Sequence, residues 1–356
     1  MTDVRVPFTG LYPAECQEDM SVAVARVLAS RRYILGPEVE AFEREWADYC
    51  GATYCIGVGN GFDALLLALK AHGNGNGDDV LVPSNTCTPT WCAVIAAGAT
   101  PVPVEPDRLL HCITWRGIEA VVTSHTRAVV PVHLYGQPCD IDEIREVTKS
   151  RGIVVIEDCA QAHGAVYRGH RIGWHENTCA WSFYPTKNLG GYGDAGAVTT
   201  DDPDVADRVR RLRAYGCAGA VNSRMDEMQA AILRVKKTFL PGWNYRRAMN
   251  ARQYLSELRD ESAWLMLPAT LHYAEPCWHQ FVVMCTRRDA LRAHLAERGI
   301  ETMIHYPVPP HRVLGYDYSL PVADQLSTEV LSLPVGPHLD ADHIETVIEA
   351  VKEFHE

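Results

Sequence analysis

The chain has 356 residues, 47% of them hydrophobic and 22% charged, with a formal charge of -12 at neutral pH. That is more than one average domain of ordinary globular composition, not a disordered chain, and an acidic balance without a Lys/Arg cluster argues against nucleic acid as a partner. No stretch is apolar for long enough to span a bilayer, and MTDVRVPFTG has no basic region followed by an apolar run, so a cytoplasmic protein is expected, with no membrane partner.

GPEVEAFEREWADYC places a proline at a first helical position and repeats Val39, Phe42 and Trp46 at helical spacing, which predicts an amphipathic helix. YCIGV then reads as a strand, FDALLLALKAHG as a helix closed by Gly73, DVLVPS as a strand and PTWCAVIAAG as a helix closed by Gly98. PVPVEP, RAVVPVHL and GIVVIED read as further buried strands with helix between them. Continuous Val/Ile runs separated by helices predict an α/β fold, its mostly parallel sheet covered on both faces, because alternation is lost when neither face meets water. NSRMDEMQAAILRVKK and LPGWNYRRAMNARQYLSELRD read as two helices. HQFVVMC, RDALRAHLAERGI and DADHIETVIEAVKEF read as a smaller α+β unit. The expected division is a large domain over 1–240, with an N-terminal helical segment, and a small domain over 241–356.

Twelve cysteines with no C-x-x-C pair, and fifteen histidines with no H-E-x-x-H, point to buried reduced thiols and to no metal site. In a parallel sheet, ligands bind beyond the carboxyl ends of the strands. Asp158 follows VVIE directly, with Gln161 and His163 close behind; alone, such an aspartate is as readily a turn or cap residue. Lys187 follows a second apolar strand, TCAWSFYP, among Phe183, Tyr184 and Pro185. Poor solvation there lowers an ammonium pKa and makes a nucleophilic amine accessible, which a guanidinium does not offer; a surface lysine laid along apolar neighbours is the alternative. Gly57, Gly59 and Gly61 lie between a strand and a helix, where backbone amides can approach a phosphate. GNGFDA also matches a dinucleotide fingerprint, but the next strand ends in Pro-Ser where an acid should hold the ribose. A phosphate cradle, a strand-end carboxylate and an aldehyde-seeking lysine are together what pyridoxal phosphate requires.

The segments VPVHLYGQPCDIDEI, VIEDCAQAHGAVYRG, SFYPTKNLGGYGDAGAVTT, NSRMDEMQAAILRVK and IHYPVPPH closely resemble the DegT/DnrJ/EryC1/StrS sugar aminotransferases. The resemblance implies the fold-type I architecture of pyridoxal-phosphate transferases. Lys187 would be the Schiff-base lysine and proton shuttle, Asp158 the partner of the pyridine nitrogen, and Gln161 a contact to the ring hydroxyl. Ser182 and the Gly61 and Phe62 amides would hold the phosphate. The family is homodimeric with shared active sites, so Asn222, in the N-S-R segment, would reach the neighbouring subunit's phosphate site. His163, Tyr184, Tyr306 and His311 would lie near the sugar. Cys87 stands where relatives place an aromatic residue against the ring, Phe62 replaces a frequent threonine, and YGCAGAVNSR is shorter than the corresponding loop in many members. PSNTCTPTW followed by GATPVPVEP is most similar to enzymes that aminate C3 of nucleotide-linked 3-keto-6-deoxyhexoses, with glutamate as the donor. Amination of a 4-keto sugar or a keto-cyclitol, or a regulatory protein that binds the cofactor without turnover, are the alternatives. A related group with histidine in place of this lysine performs dehydration, and Lys187 argues against it.

Overall fold

The Val/Ile runs assemble into one seven-stranded sheet in a computed structural model that describes residues 4–10, 14–174 and 176–354. Its strands are β1 (Tyr54–Val58), β2 (Asp79–Pro83), β3 (Thr100–Val104), β4 (Thr126–Val129), β5 (Val154–Asp158), β6 (Thr178–Ser182) and β7 (Gly196–Thr200). They lie in the order β1-β7-β6-β5-β4-β2-β3. Only β7 runs against its neighbours, so β1 and β6, each antiparallel to β7, point the same way as the rest. The carboxyl ends of six strands therefore meet on one edge, where the sequence places its chemistry.

Both faces of the sheet are dry. Ile56, Val58, Ala180 and Val198 face a core with Leu65, Leu67 and Leu69 of helix α3. Cys55, Cys179, Trp181 and Ala197 face the opposite core, with Val39, Phe42 and Trp46. Burying Phe42 alone stabilises by about 1.5–3 kcal/mol. The helices of this lobe are α1 (Gln17–Ser30), α2 (Pro37–Cys50), α3 (Gly61–Ala71), α4 (Thr88–Ala97), α5 (Trp115–Val121), α6 (Ile141–Lys149) and α7 (Pro203–Leu212), followed by α8 (Glu227–Glu257). Predicted helix ends after Ala71 and Ala97 are met by Gly73 and Gly98, both in the left-handed region.

Two expectations change. The two helices read on either side of Leu240–Pro241 are one helix, α8, of 31 residues. Proline removes a single ladder hydrogen bond, and burial of Leu240 and Trp243 holds the helix through it. The expected division after residue 240 thus falls inside an element that both lobes share, since Ala251, Tyr254 and Leu258 of α8 enter the C-terminal core. That core is built on β8 (Phe281–Met284), antiparallel to β9 (Val330–Leu333), and on Leu291, Ile344 and Val347. Val6 joins it by bridging to Ile300, so the N-terminal segment docks on the C-terminal lobe and not on the large one.

None of the twelve cysteines forms a disulfide; Cys55, Cys179 and Cys285 are buried, Cys92 is partly buried and Cys87 is exposed. Among the described residues no helix is long and apolar enough to cross a membrane.

Candidate active site

Asp158 closes β5 and is 5% exposed. Its Oδ2 accepts a hydrogen bond from Thr90 Oγ1 at 2.9 Å and its Oδ1 accepts one from the Ala160 N–H at 3.1 Å. Burial raises this carboxyl's pKa above the ordinary aspartate value; the Ala160 and Thr90 hydrogen bonds, then the Lys187 charge, oppose the rise without cancelling it. The carboxylate is short of positive charge, which a protonated ring nitrogen set against it would provide. The residue pattern does not single out Thr90. The available signal is its place one turn into α4, at the carboxyl end of β2.

Gln161 is locked at both ends: Oε1 accepts from the Tyr135 N–H at 2.5 Å and Nε2 donates to the Tyr306 hydroxyl at 3.0 Å. That contact brings Tyr306, from the C-terminal lobe, to the strand-end cluster.

The phosphate cradle follows from how α3 begins. Asn60 caps the helix, its Oδ1 accepting from the Asp63 N–H at 2.8 Å and its carbonyl from the Ala64 N–H at 3.1 Å. The first two helical amides, Gly61 and Phe62, have no acceptor among the described residues. A Cβ at position 61 would lie 2.5 Å from the Ser182 Cβ, so glycine is what lets the helix end close against Ser182. Two outward amides and a hydroxyl at the positive end of a helix form a seat for a phosphate dianion. Phe62 itself packs against the core beside α3 and adds no polar group. Asn222 is exposed on the chain's surface, its Oδ1 accepting from Arg224 Nε at 3.0 Å, while Ser223 ties that segment to Gly59 and Asp63.

Lys187 follows β6 through a tight turn in which its N–H bonds to the Tyr184 carbonyl at 2.9 Å. Removal from water lowers its pKa, against the opposing influence of Cys87 and Asp158. A strand-end acid, an amine with a depressed pKa and the exposed Cys87 at the start of α4 thus share one local field. The lysine loop is fastened to α8: Asn188 Nδ2 donates to Asn244 Oδ1 at 2.9 Å, Gln229 Oε1 accepts from the Tyr192 N–H at 2.7 Å, and the buried Lys236 ammonium bonds the Gly190 carbonyl.

Two predicted residues are buried, and His163 is still within the electrostatic reach of Lys187. His163 is fully buried among the rings of Trp46, Trp181 and Phe183 at 5.8, 5.5 and 5.5 Å, and burial lowers its pKa to about 3. His311 is also fully buried, tilted against Trp91 with Asp324 3.5 Å from its Nε2. Both are packed among other side chains in this structure, because an imidazole at an apolar spacing is hidden like any other ring. Tyr184, by contrast, is 52% exposed and lines, with Lys187, a cavity of about 350 Å³ between the lobes. Arg247, His279, His305 and His338 also line it; His305 belongs to the IHYPVPPH segment, and no sequence motif marks out the other three.

Among the described residues one group has metal-ligand proximity: His133, Glu157 and Cys159. Its lone pairs are committed inward. His133 Nδ1 accepts from the Cys139 N–H at 3.0 Å, which leaves Nε2 as the donor to Glu157 at 2.8 Å, and Asn177 holds the second Glu157 oxygen at 2.8 Å.

Comparison with known proteins bears on this geometry. The sequence profile of the DegT/DnrJ/EryC1/StrS aminotransferase family matches residues 14–352. A dTDP-3-amino-3,4,6-trideoxy-α-D-glucose transaminase from Streptomyces venezuelae is 48% identical, covering 99% of this chain and 97% of its own. A dTDP-3-amino-3,6-dideoxy-α-D-galactopyranose transaminase from Aneurinibacillus thermoaerophilus is 46% identical, covering 95% and 96%. The crystal structure of S. venezuelae DesV in complex with a ketimine intermediate superposes with a TM-score of 0.95 over 99% of this chain and 98% of that one, at 48% identity.

Proposed function

The chain belongs to the DegT/DnrJ/EryC1/StrS aminotransferase family, and on that premise we propose that it transfers an amino group from glutamate to C3 of a dTDP-linked 3-keto-6-deoxyhexose. It is a pyridoxal-phosphate-dependent aminotransferase. When bound, the cofactor supplies an aldehyde that captures amines and a ring that withdraws electrons from the neighbouring carbon. The residues present fit it: a buried carboxylate short of positive charge, two unsatisfied helical amides and a lysine of lowered pKa converge from three strand ends.

Asp158 keeps the ring nitrogen protonated, and Thr90 and Ala160 hold its two oxygens so that the carboxylate does not rotate away. Gln161, fixed by Tyr135 and Tyr306, faces the ring hydroxyl. Gly61, Phe62 and Ser182 seat the phosphate, and Asn222 completes that seat from a second copy of the chain in a cytoplasmic homodimer. Lys187 Nζ, deprotonated at neutral pH more readily than a solvated lysine, would take and carry the proton of the donor carbon. Tyr184 and Tyr306 face the sugar. Two relatives named for 3-amino dTDP sugars support C3 over C4 as the carbon aminated.

The convergence of Lys187 and Asp158 carries this reading. Borohydride reduction of the yellow holoenzyme followed by peptide mapping is expected to label Lys187 alone. Paired assays with dTDP-linked 3-keto and 4-keto sugars are expected to show turnover with the first. Label on another lysine would refute the chemistry, and preference for the 4-keto sugar would refute the position.

A further inference from the structure

The 350 Å³ cavity beside Lys187 has an electrostatic character that the cofactor residues do not explain. Phe8, Met303 and Val335 make it partly apolar, and among the described residues no aspartate or glutamate lines it. Its histidines are neutral: burial holds His305 down to about 4, and His279 well below the ordinary value. Apart from Lys187, whose amine the cofactor consumes, the lasting positive charge in the lining is Arg247.

Arg247 reaches the wall from α8, beyond Pro241. One guanidinium nitrogen, Nη1, donates to the Trp278 and His279 carbonyls, both at 3.1 Å. Nε is buried with no hydrogen-bond partner. No carboxylate pairs with this guanidinium among the described residues, and burial lowers its pKa to about 10, so it stays charged at neutral pH. A buried cation without a counterion is strongly unfavourable unless an anionic ligand completes it. The route from Arg247 to the reacting amine is short: His279, whose carbonyl it holds, bonds through Nδ1 to Asn188 Oδ1 at 3.0 Å, and Asn188 adjoins Lys187. His279 lies within the electrostatic reach of both cations.

Transamination brings two different molecules to one lysine. The donor amino acid carries a carboxylate on the carbon that bears its amine, and glutamate carries a second at the far end of a short chain. A cavity of this size takes a small dicarboxylate whole, and of a nucleotide sugar only the hexose end. We infer that Arg247 is the carboxylate anchor of the amino donor: it pairs with a donor carboxylate in the cavity and holds the donor amine toward Lys187, while the nucleotide sugar makes no use of it. The inference rests on the aminotransferase reading above, and it divides the site by substrate.

Separate half-reactions test it. Starting from the aldehyde-loaded holoenzyme, Arg247→Gln is expected to raise the glutamate concentration for half-saturation by about 10- to 100-fold, the range for losing hydrogen bonds to a charged group. The amine-loaded enzyme should meet the keto sugar with its half-saturation within about twofold of the unsubstituted protein. Arg247→Lys, which keeps the charge and guards against loss of folding through the Trp278 and His279 carbonyls, is expected to fall between the two. An independent readout is the equilibrium affinity of the holoenzyme for glutarate, a dicarboxylate with no amine, measured by calorimetry; it should weaken in parallel. Unchanged glutamate and glutarate affinities in Arg247→Gln would overturn the inference, as would an equal or greater loss toward the nucleotide sugar. If the unsubstituted enzyme turned over no amino donor at all, the proposed function would fall instead, while glutarate binding would still decide the role of Arg247.

Discussion

On the Asp158 side of the site, nearly every contact comes from a strand end or a helix start of one sheet: Thr90 on α4, Ala160 after β5, Ser182 closing β6, Gly61 opening α3. On the Arg247 side, the wall is gathered from residues 8–10, 243–247, 279–280, 303–305 and 335–338, which meet only because the C-terminal lobe packs where it does. The first side is held by backbone geometry and closed by short hydrogen bonds. The second depends on lobe packing, on neutral histidines and on a cation with no carboxylate partner among the described residues. An invariable chemical step suits the rigid side, and choice among amino donors suits the assembled one.

Lys187 stands between the two sides, so its removal should break the comparison most completely. Lys187→Ala is expected to lower both half-reactions by at least about 10²- to 10⁴-fold, the scale of a lost proton-transfer group. Thermal stability should hold, because the side chain is only partly buried; stopped-flow spectra and a melting curve check the two statements. If one half-reaction survived, the lysine would belong to one side only.

Asp158→Asn should strike the cofactor side, reducing turnover on the order of a hundredfold with weakened cofactor retention. Thr90→Val, which removes one hydrogen bond to the same carboxylate, should cost nearer tenfold or less. Both are expected to leave the ratio of glutamate to glutarate affinity untouched, whereas a change in that ratio would show that the two sides are coupled.

The lobe junction should be one of the acid-sensitive parts. His111, buried against Met284 of β8 with its ring edge on Tyr135, has its pKa lowered to about 4 by burial. In the unfolded chain it takes up a proton from about pH 6.5 downward. The folded state thus binds fewer protons in that window, and its stability falls as pH drops from about 6.5 toward about 4. This residue should contribute about 2 kcal/mol less at pH 5 than at pH 7. His111→Leu is expected to flatten that part of the difference in urea midpoints between the two pH values; an unaltered slope would place the acid lability elsewhere.

The smallest expected effect is at Cys87. Cys87→Phe should tighten pyridoxal phosphate by about 0.5–1.5 kcal/mol through ring stacking, read as a spectrophotometric dissociation constant, with donor affinity unchanged.

Much of the Asp158 side is legible in the residue pattern itself. Continuous apolar runs name buried strands, and a polar residue at the end of such a run has few places to go but the sheet's carboxyl edge. Lys187 and Asp158 stand out in that way, and Gly61 by its place between a strand and a helix. The burial of His163 and His311 is not legible, because a motif's polar residues read alike whether they face a ligand or a packed ring. Pro241 misleads because its local penalty is a single hydrogen bond, which burial of Leu240 and Trp243 outweighs.

The sequence by itself determined the alternation of strands and helices, the edge of the sheet at which polar residues gather, and the lysine and acid proposed for the chemistry, because these follow from local apolar pattern and from what each side chain is able to do. Tertiary structure alone decided that Val6 joins the C-terminal core, that α8 runs unbroken between lobes, and that Arg247 meets the cavity beside Lys187. Those outcomes depend on contacts between residues far apart in the chain, whose energies are set by packing and desolvation, quantities that no local window of sequence contains.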